Sequence, residues 1–298
     1  MVSPEINDFL KAGKITSIAR EFAKKKIAKG VNIYEYVKSI EKKIESSGGK
    51  LAFPVNVSIN EFAAHDTAKY LGPEEFSESQ VVKVDIGASV NGYLGDTAFT
   101  AEIGSSKYSK LISASNEALN NAIEIIKPGI KHCEIGRIIH KTIKSHGFNP
   151  IFNLGGHGLS KFNLHANIFI PNYDNGDSNK FFSGQMIALE PFATNGAGRV
   201  SDTSVSKIYS LDKKKPVRMD STRKVLKYID ENFNSLPFAD YHLLIKFTPS
   251  QVSIALKEML RLGILHSYPQ LKEVSGGIVS QTEHSLLINE NGAVVSTE

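Results

Sequence analysis

The sequence VVKVDIGASVNGYLGDTAFTAEI, residues 81–103, contains the clearest local structural signal in the chain. Its central dipeptide, Asn91-Gly92, is typical of a two-residue β-hairpin turn, because both central positions of a type I′ turn require positive φ. The flanking residues are rich in Val, Ile and Phe, which favour strands. The segment therefore predicts two antiparallel strands in which Val90 pairs with Tyr93.

This register places two carboxylates on one face of the hairpin. Gly87 would pair with Asp96, and Asp85, two residues before Gly87, projects from the same face as Asp96. The two residues would be diagonal cross-strand neighbours, about 7–8 Å apart at the backbone. Two carboxylates that face a core are costly unless a positive charge lies between them. The alternative is a solvated sheet, but the apolar flanks favour partial burial, and we expect a metal ion as the counter-charge.

Three further residues are candidate ligands for the same metal. His157 lies in a glycine-rich segment, GGHG, where the backbone can approach closely. Glu190 lies in the apolar sequence MIALEPFA (186–193), and Glu283 in SQTEHSLLI (280–288). Taken singly, each is more simply a core residue or a salt-bridge partner. Together with the aspartate pair, they favour a metal site.

The charges of this candidate set suit two divalent cations. Four carboxylates carry −4, which two divalent ions would neutralise, and one imidazole with four carboxylates suits Mn, Fe, Co or Zn. Two metal ions about 3.5–4 Å apart can share carboxylates and activate a bridging water near neutral pH. Such a site serves the hydrolysis of an amide or a phosphate.

The rest of the chain predicts an α+β fold in which two helices and then several strands occur twice. Helices are predicted from Ser3-Pro4, from near Asn32, and over 106–126 and 133–146. Strands are predicted over 51–59, 81–89, 93–103, 151–153, 166–170, 186–193, 200–210, 278–288 and 293–296. Residues 219–274 predict a helical insertion with a helix–Gly–strand order like that of a winged helix. We therefore expect a catalytic domain over 1–218 and 275–298, and an insertion subdomain over 219–274.

Composition narrows the class of protein. The 298 residues are 41% hydrophobic and 22% charged, which argues against disordered, collagen-like and coiled-coil chains. No apolar run approaches the roughly 18 residues of a membrane-spanning helix. The N-terminus lacks an apolar signal core, and Cys133 is the single cysteine, so we expect a cytoplasmic protein. A net charge of +4 is too small to indicate nucleic-acid binding, and the lysine runs at 24–26 and 213–215 are interpreted as solvated.

The candidate ligands resemble, in order, the five metal ligands of methionine aminopeptidases. The neighbouring sequences support this resemblance: FPVNVSINEFAAH (53–65), VVKVDIG (81–87), NLGGHGLSKFNLH (153–165), ALEPFAT (188–194) and QTEHSLLI (281–288). The resemblance implies the pseudo-symmetric pita-bread fold of creatinase, prolidase and aminopeptidase P. The helical insertion before Glu283 is similar to that of type 2 enzymes, and the short N-terminus resembles the archaeal form.

The resemblance also implies a role for each site residue. Asp85 would chelate one metal ion, Asp96 and Glu283 would bridge two ions, and His157 and Glu190 would complete the second site. The implied catalytic residues are His65, His165 and Glu190. The implied substrate-binding residues are His65, His165, Phe53, Leu164 and Phe192, of which the last three would form an apolar slot for methionine.

The function implied by this resemblance is removal of the initiator methionine from nascent chains whose second residue is small. The implied partners are nascent N-termini and the ribosome, with no membrane and no specific nucleic acid, and the enzyme would be a cytoplasmic monomer that uses two divalent ions of Co, Mn, Fe or Zn. Two alternatives share the fold: an X-Pro aminopeptidase or prolidase, and a non-catalytic relative that binds RNA or protein.

Overall fold

Two helices begin the chain in this computed structural model, which describes residues 3–298. Helix α1 (Pro4–Lys26) has Ser3 as its N-cap, and helix α2 (Ile33–Ser46) has Asn32. Each capping side chain accepts a hydrogen bond from a backbone amide three residues later, which satisfies a donor that the helix itself cannot pair. Both helix starts agree with the sequence prediction.

The hairpin predicted over 81–103 is present. Five strands follow the helices: β1 (Lys50–Leu51), β2 (Asn56–Ile59), β3 (Phe62–Ala64), β4 (Val81–Val90) and β5 (Tyr93–Glu102). Asn91 and Gly92 join β4 to β5 with φ values of 51° and 89°, as a type I′ turn requires. Gly87 lies directly opposite Asp96, so the predicted register is confirmed.

The second half repeats the order of the first, with two helices and then strands. Its elements are α3 (Ser109–Ile125), α4 (His132–Ser145), β6 (Asn149–Pro150), β7 (Gly155–Ser160), β8 (Asn163–Pro171), β9 (Met186–Leu189), β10 (Phe192–Thr194) and β11 (Val200–Leu211). Two predicted strands differ from these. The strand predicted over 186–193 is interrupted after β9, because Pro191 has no N–H to donate to a ladder. The strand predicted over 151–153 is absent, and β6 lies just before it.

The segment 219–274 contains helices and two strands. The remaining elements of the chain are α5 (Asp220–Phe233), β12 (Phe238–Ala239), α6 (Asp240–Leu244), α7 (Pro249–Arg261), β13 (Leu265–Glu273), β14 (Val279–Gln281), β15 (Glu283–Asn289) and β16 (Gly292–Val295). Strand β13 pairs with β11 and β3, so the end of this segment is also part of a four-stranded sheet. The domain boundaries at 218 and 275 stay a prediction.

The largest sheet in the described structure has nine strands. Its order is β1-β4-β5-β15-β9-β7-β8, with β2 paired to β4 and β16 to β15. Helices α1 and α2 share one apolar core with β4, and α3 and α4 share a second core with β9 and β15. The predicted α+β class is confirmed. Among the described residues, no helix is both long and apolar enough to cross a membrane.

Candidate metal centre

Three strands of the nine-stranded sheet, β5, β15 and β7, bring three of the predicted ligands together. Asp96 lies on β5, Glu283 is the first residue of β15, and His157 lies on β7. Glu283 pairs with Ala98, two residues after Asp96. One ligand atom from each of the three side chains lies within 4.8 Å of the other two. The three are buried, so the sheet places two carboxylates and an imidazole around one point in the interior.

The other two predicted ligands lie beside this trio. Asp85 is on the same face of β4 as Gly87, the residue directly opposite Asp96. The Oε1 atom of Glu190 is 3.9 Å from His157 Nε2, and the Oδ2 atom of Asp96 is 3.8 Å from the same nitrogen. The five side chains therefore surround a single site.

Three carboxylate oxygens in this site have no hydrogen-bond partner. Asp85 Oδ1, Asp96 Oδ1 and Glu283 Oε1 are fully buried and unpaired among residues 3–298. A buried carboxylate oxygen without a donor is costly, and native proteins seldom leave one unpaired. Oxygen ligands with one imidazole are the donor set that Mn, Fe, Co and Zn accept. These residues therefore fit divalent cations.

The electrostatics of the four carboxyl groups support the same fit. Burial raises the pKa of Asp85 to about 7, and it raises the pKa values of Asp96, Glu190 and Glu283 well above their ordinary range. Repulsion among the neighbouring carboxylates raises the pKa of each of these last three further. The cluster must therefore either keep protons or hold cations near neutral pH.

The surroundings of His157 favour the neutral imidazole, which is the form that binds a metal ion. Burial lowers the pKa of its imidazole to about 3, so it is uncharged near pH 7. Its Nδ1 atom is 3.3 Å from the carbonyl oxygen of Gly158, and a carbonyl can only accept, so this assigns the proton to Nδ1. The lone pair is then on Nε2, the nitrogen that lies nearest to Asp96 and Glu190.

Gln281 orients two of the carboxylates and was missed by the sequence analysis. Its side-chain amide donates to Glu190 Oε2 at 3.1 Å and to Glu283 Oε2 at 3.4 Å. Glu190 lies in the break between β9 and β10, and Gln281 ends β14, which pairs with β10. Its position two residues before Glu283 was a usable signal, since residues two apart in extended chain share a face.

Two histidines line the same cavity as the ligands. His65 has a φ of 61°, which is rare for a residue with a Cβ atom, and its Nδ1 is 3.3 Å from the Pro269 carbonyl oxygen. Burial and the nearby His165 lower the pKa of His65 to about 4. Burial also lowers the pKa of His165, whose ring centroid is 4.5 Å from that of His157. Both rings are neutral near pH 7.

Tyr268 on β13 lines the cavity beside His65 and His165. Its ring centroid is 5.4 Å from that of His65 and 6.3 Å from that of His165. The residue lies inside the segment 219–274, for which the sequence predicted only an insertion. Its place in the cavity follows from the pairing of β13 with β11 and β3, and no local sequence pattern indicates that long-range contact.

The apolar side of the cavity contains the residues predicted for a methionine slot. Phe53 and Phe192 are buried, and Leu164 is partly buried. The cavity has a volume of about 540 Å³. All ten predicted site residues line it: Phe53, His65, Asp85, Asp96, His157, Leu164, His165, Glu190, Phe192 and Glu283.

Comparisons with known proteins show which family the chain resembles. Residues 7–225 match the profile of metallopeptidase family M24. The chain is 44% identical to the methionine aminopeptidase of Thermococcus onnurineus over 97% of this chain and 98% of the relative. A crystal structure of methionine aminopeptidase from Thermotoga maritima superposes with a TM-score of 0.73 at 25% identity, covering 100% of this chain and 98% of that one. Prolidase from Pyrococcus furiosus superposes with a TM-score of 0.65 at 20% identity, and 64% of its chain is covered.

Proposed function

The chain belongs to metallopeptidase family M24, and on that premise we propose that it removes the N-terminal methionine from nascent proteins and peptides whose second residue is small. Its similarity to methionine aminopeptidases spans nearly the full length of both chains. The predicted pita-bread fold and the predicted class of metalloaminopeptidase are confirmed. The observation that carries the proposal is the cavity in which a buried carboxylate–imidazole cluster adjoins an apolar slot.

The prolidase alternative has weaker support. The relation to Pyrococcus furiosus prolidase is one of fold, and the chain covers only 64% of that protein. The other alternative, a non-catalytic relative that binds RNA or protein, would not need the unpaired buried oxygens of Asp85, Asp96 and Glu283. In a metallopeptidase, these oxygens would bind metal ions.

The enzyme uses divalent metal, as its family does, and we propose two ions per chain. The five residues that would hold them are Asp85, Asp96, His157, Glu190 and Glu283. Two divalent ions would balance the four carboxylate charges, and Co, Mn, Fe and Zn all suit the donor set. When bound, such ions polarise a carbonyl and lower the pKa of water, which is the chemistry that amide hydrolysis requires.

Glu190 is the proposed general base and acid. Its carboxylate is at the cavity wall, where Gln281 holds one oxygen at 3.1 Å and leaves the other facing His157. A carboxylate held in this way can take a proton from the attacking water and deliver it to the leaving amine.

The two cavity histidines are proposed to hold the scissile peptide. Because the Nδ1–H of His65 donates to the Pro269 carbonyl, its Nε2 is an acceptor for the N–H of a substrate amide. His165 is neutral and carries one N–H, which can donate to the developing oxyanion. The pair thus supplies one acceptor and one donor for the same peptide group.

Phe53, Leu164 and Phe192 are proposed to form the slot for the methionine side chain. Their apolar surfaces suit an unbranched thioether, which binds by dispersion and burial of area. The slot depends on Gly87 in β4, because a Cβ atom at this position would overlap the Phe53 ring.

Substitution Gly87→Ala is therefore expected to raise KM for Met-Ala-Ser by about tenfold, since the displaced Phe53 ring would narrow the slot. Steady-state kinetics on the folded variant measure this. The matched control is Gly49→Ala, whose added methyl would meet Ile15 at 3.1 Å, outside the cavity lining. An unchanged KM in the Gly87→Ala variant would contradict the proposal that Phe53 forms part of the slot.

The cellular setting is also part of the proposal. Nascent N-termini at the ribosome are the proposed substrates, and a cytoplasmic monomer is the proposed form of the enzyme. Residues 219–274 are proposed as an insertion subdomain that contributes one wall of the cavity through Tyr268.

A substrate comparison tests the proposed function. Met-Ala-Ser should be cleaved with a kcat/KM roughly 100-fold above that for Ala-Pro-Ser, because alanine leaves the apolar slot unfilled. Liberated amino acid is the readout. Replacement of methionine by norleucine should retain most of the activity, since the side chain keeps its length. Preference for Ala-Pro-Ser would instead indicate an X-Pro aminopeptidase or prolidase.

A further inference from the structure

A second cavity lies behind the metal-ligand strands. It has a volume of about 500 Å³ and is formed by α1, β5, α3 and the start of β15. Ala98, in its wall, pairs with Glu283. His284 lines this second cavity, while Glu283 lines the catalytic one, because adjacent residues of a strand point to opposite faces of the sheet.

The lining of this second cavity is positively charged. Arg20 and Lys24 contribute to the wall, and no Asp or Glu of residues 3–298 does. Glu21 pairs with both cations, at 3.1 Å and 3.0 Å, but it is half exposed and lies outside the lining.

Arg20 presents an unused donor there. The residue is nine-tenths buried, and its Nη1 donates to Thr97 Oγ1 at 3.1 Å and to the Thr297 carbonyl oxygen at 2.8 Å. Its Nε donates to Glu21. Its Nη2 has no partner within the described range 3–298. The fixed bonds hold the guanidinium in place and leave one side of it available to a ligand.

Two further donors belong to the same lining. His284 Nδ1 lies 2.8 Å from Thr297 Oγ1 and 3.2 Å from Arg20 Nη1, so it acts as an acceptor and the ring proton is assigned to Nε2. Asn116 Oδ1 accepts from Thr282 Oγ1 at 2.5 Å, which leaves its amide N–H groups to donate. Neither of these two donors has a partner elsewhere in the described part of the chain.

We infer that this second cavity binds a small oxyanion, a phosphate group either free or carried on an organic molecule. A guanidinium, an ammonium, an imidazole N–H and a side-chain amide, with no carboxylate among them, form a donor set complementary to phosphate oxygens. Phe99 and Leu119 supply apolar wall beside these donors, which suits the organic part of a phosphate monoester. The inference does not depend on the peptidase activity.

Titration with inorganic phosphate tests this inference. Imidazole signals of the protein are followed by NMR at neutral pH, and the His284 signal is expected to shift and saturate at millimolar phosphate. In Asn120→Asp, which adds a negative charge to the lining, the affinity should fall about tenfold. The matched control is Asn121→Asp, which adds the same charge one residue further along α3, where the side chain contacts Thr142 on α4.

Phenyl phosphate distinguishes the two sources of the phosphate group. Tighter binding than inorganic phosphate would identify an organic phosphate as the ligand, and equal binding would identify free phosphate. A His284 signal that does not move at millimolar phosphate would overturn the inference. So would equal phosphate affinities in the Asn120 and Asn121 variants, because binding would then occur elsewhere, for example at the metal centre.

Discussion

Substitution Glu190→Gln is expected to lower kcat for Met-Ala-Ser by at least about a thousandfold, because the proposed proton carrier and one proposed metal ligand are lost together. Glutamine keeps the shape of the side chain, and its carbonyl oxygen can still accept the hydrogen bond that Gln281 now donates at 3.1 Å. The fold should therefore persist. Steady-state kinetics under saturating divalent metal measure the loss.

Two measurements keep this result interpretable. Thermal unfolding of the Glu190 variant should match that of the unmodified chain when metal is present, which separates lost chemistry from lost structure. Glu124→Gln, an equivalent change at an exposed glutamate of α3, should leave kcat unchanged. Turnover by the Glu190 variant within tenfold of the original rate would contradict its role as general base.

Removal of divalent metal is expected to abolish activity and to destabilise the protein in a pH-dependent way. The folded-state pKa of Asp85 is held near 7 by burial, above the value of about 3.9 in an unfolded chain. A raised pKa stabilises the fold while the group is protonated, and this stabilisation is lost as pH rises through the folded value. Asp96, Glu190 and Glu283 shift in the same direction.

The Tm of the metal-free protein should therefore fall as pH rises from about 5 to about 8, by 5 °C or more. Saturating Mn²⁺ should restore the Tm, and most strongly at the higher pH, because the cation takes the place of the protons. Asp85→Asn removes one of the titrating groups and should flatten the decline. Two results together would contradict the claim that these buried carboxylates bind protons or metal ions. The metal-free chain would have the same Tm at both pH values, and added metal would not raise that Tm.

Local signals in the sequence were sufficient for the part of the site that one hairpin builds. The dipeptide Asn91-Gly92 fixes the turn, the turn fixes the register, and the register places Asp85 and Asp96 on one face. Helix starts were equally readable, because capping by Ser3 and Asn32 is a local interaction. The α+β order followed from these elements.

Features that depend on the pairing of strands far apart in sequence could not be predicted from local sequence patterns. Glu190 was expected inside a continuous strand, but it lies in a break before Pro191, where its side chain is free to face His157 and Gln281. Tyr268 reaches the cavity only because β13 pairs with β11 and β3, far away in sequence. The resemblance to a known family supplied the cavity residues His65 and His165, for which the sequence has no local pattern.

The most direct test of the central claim is a crystal structure of the chain grown with Mn²⁺ or Co²⁺ and measured at the absorption edge of that metal. The account predicts two anomalous peaks among Asp85, Asp96, His157, Glu190 and Glu283, separated by about 3.5–4 Å. An absence of peaks at this position under saturating metal, or peaks held only by other residues, would contradict it.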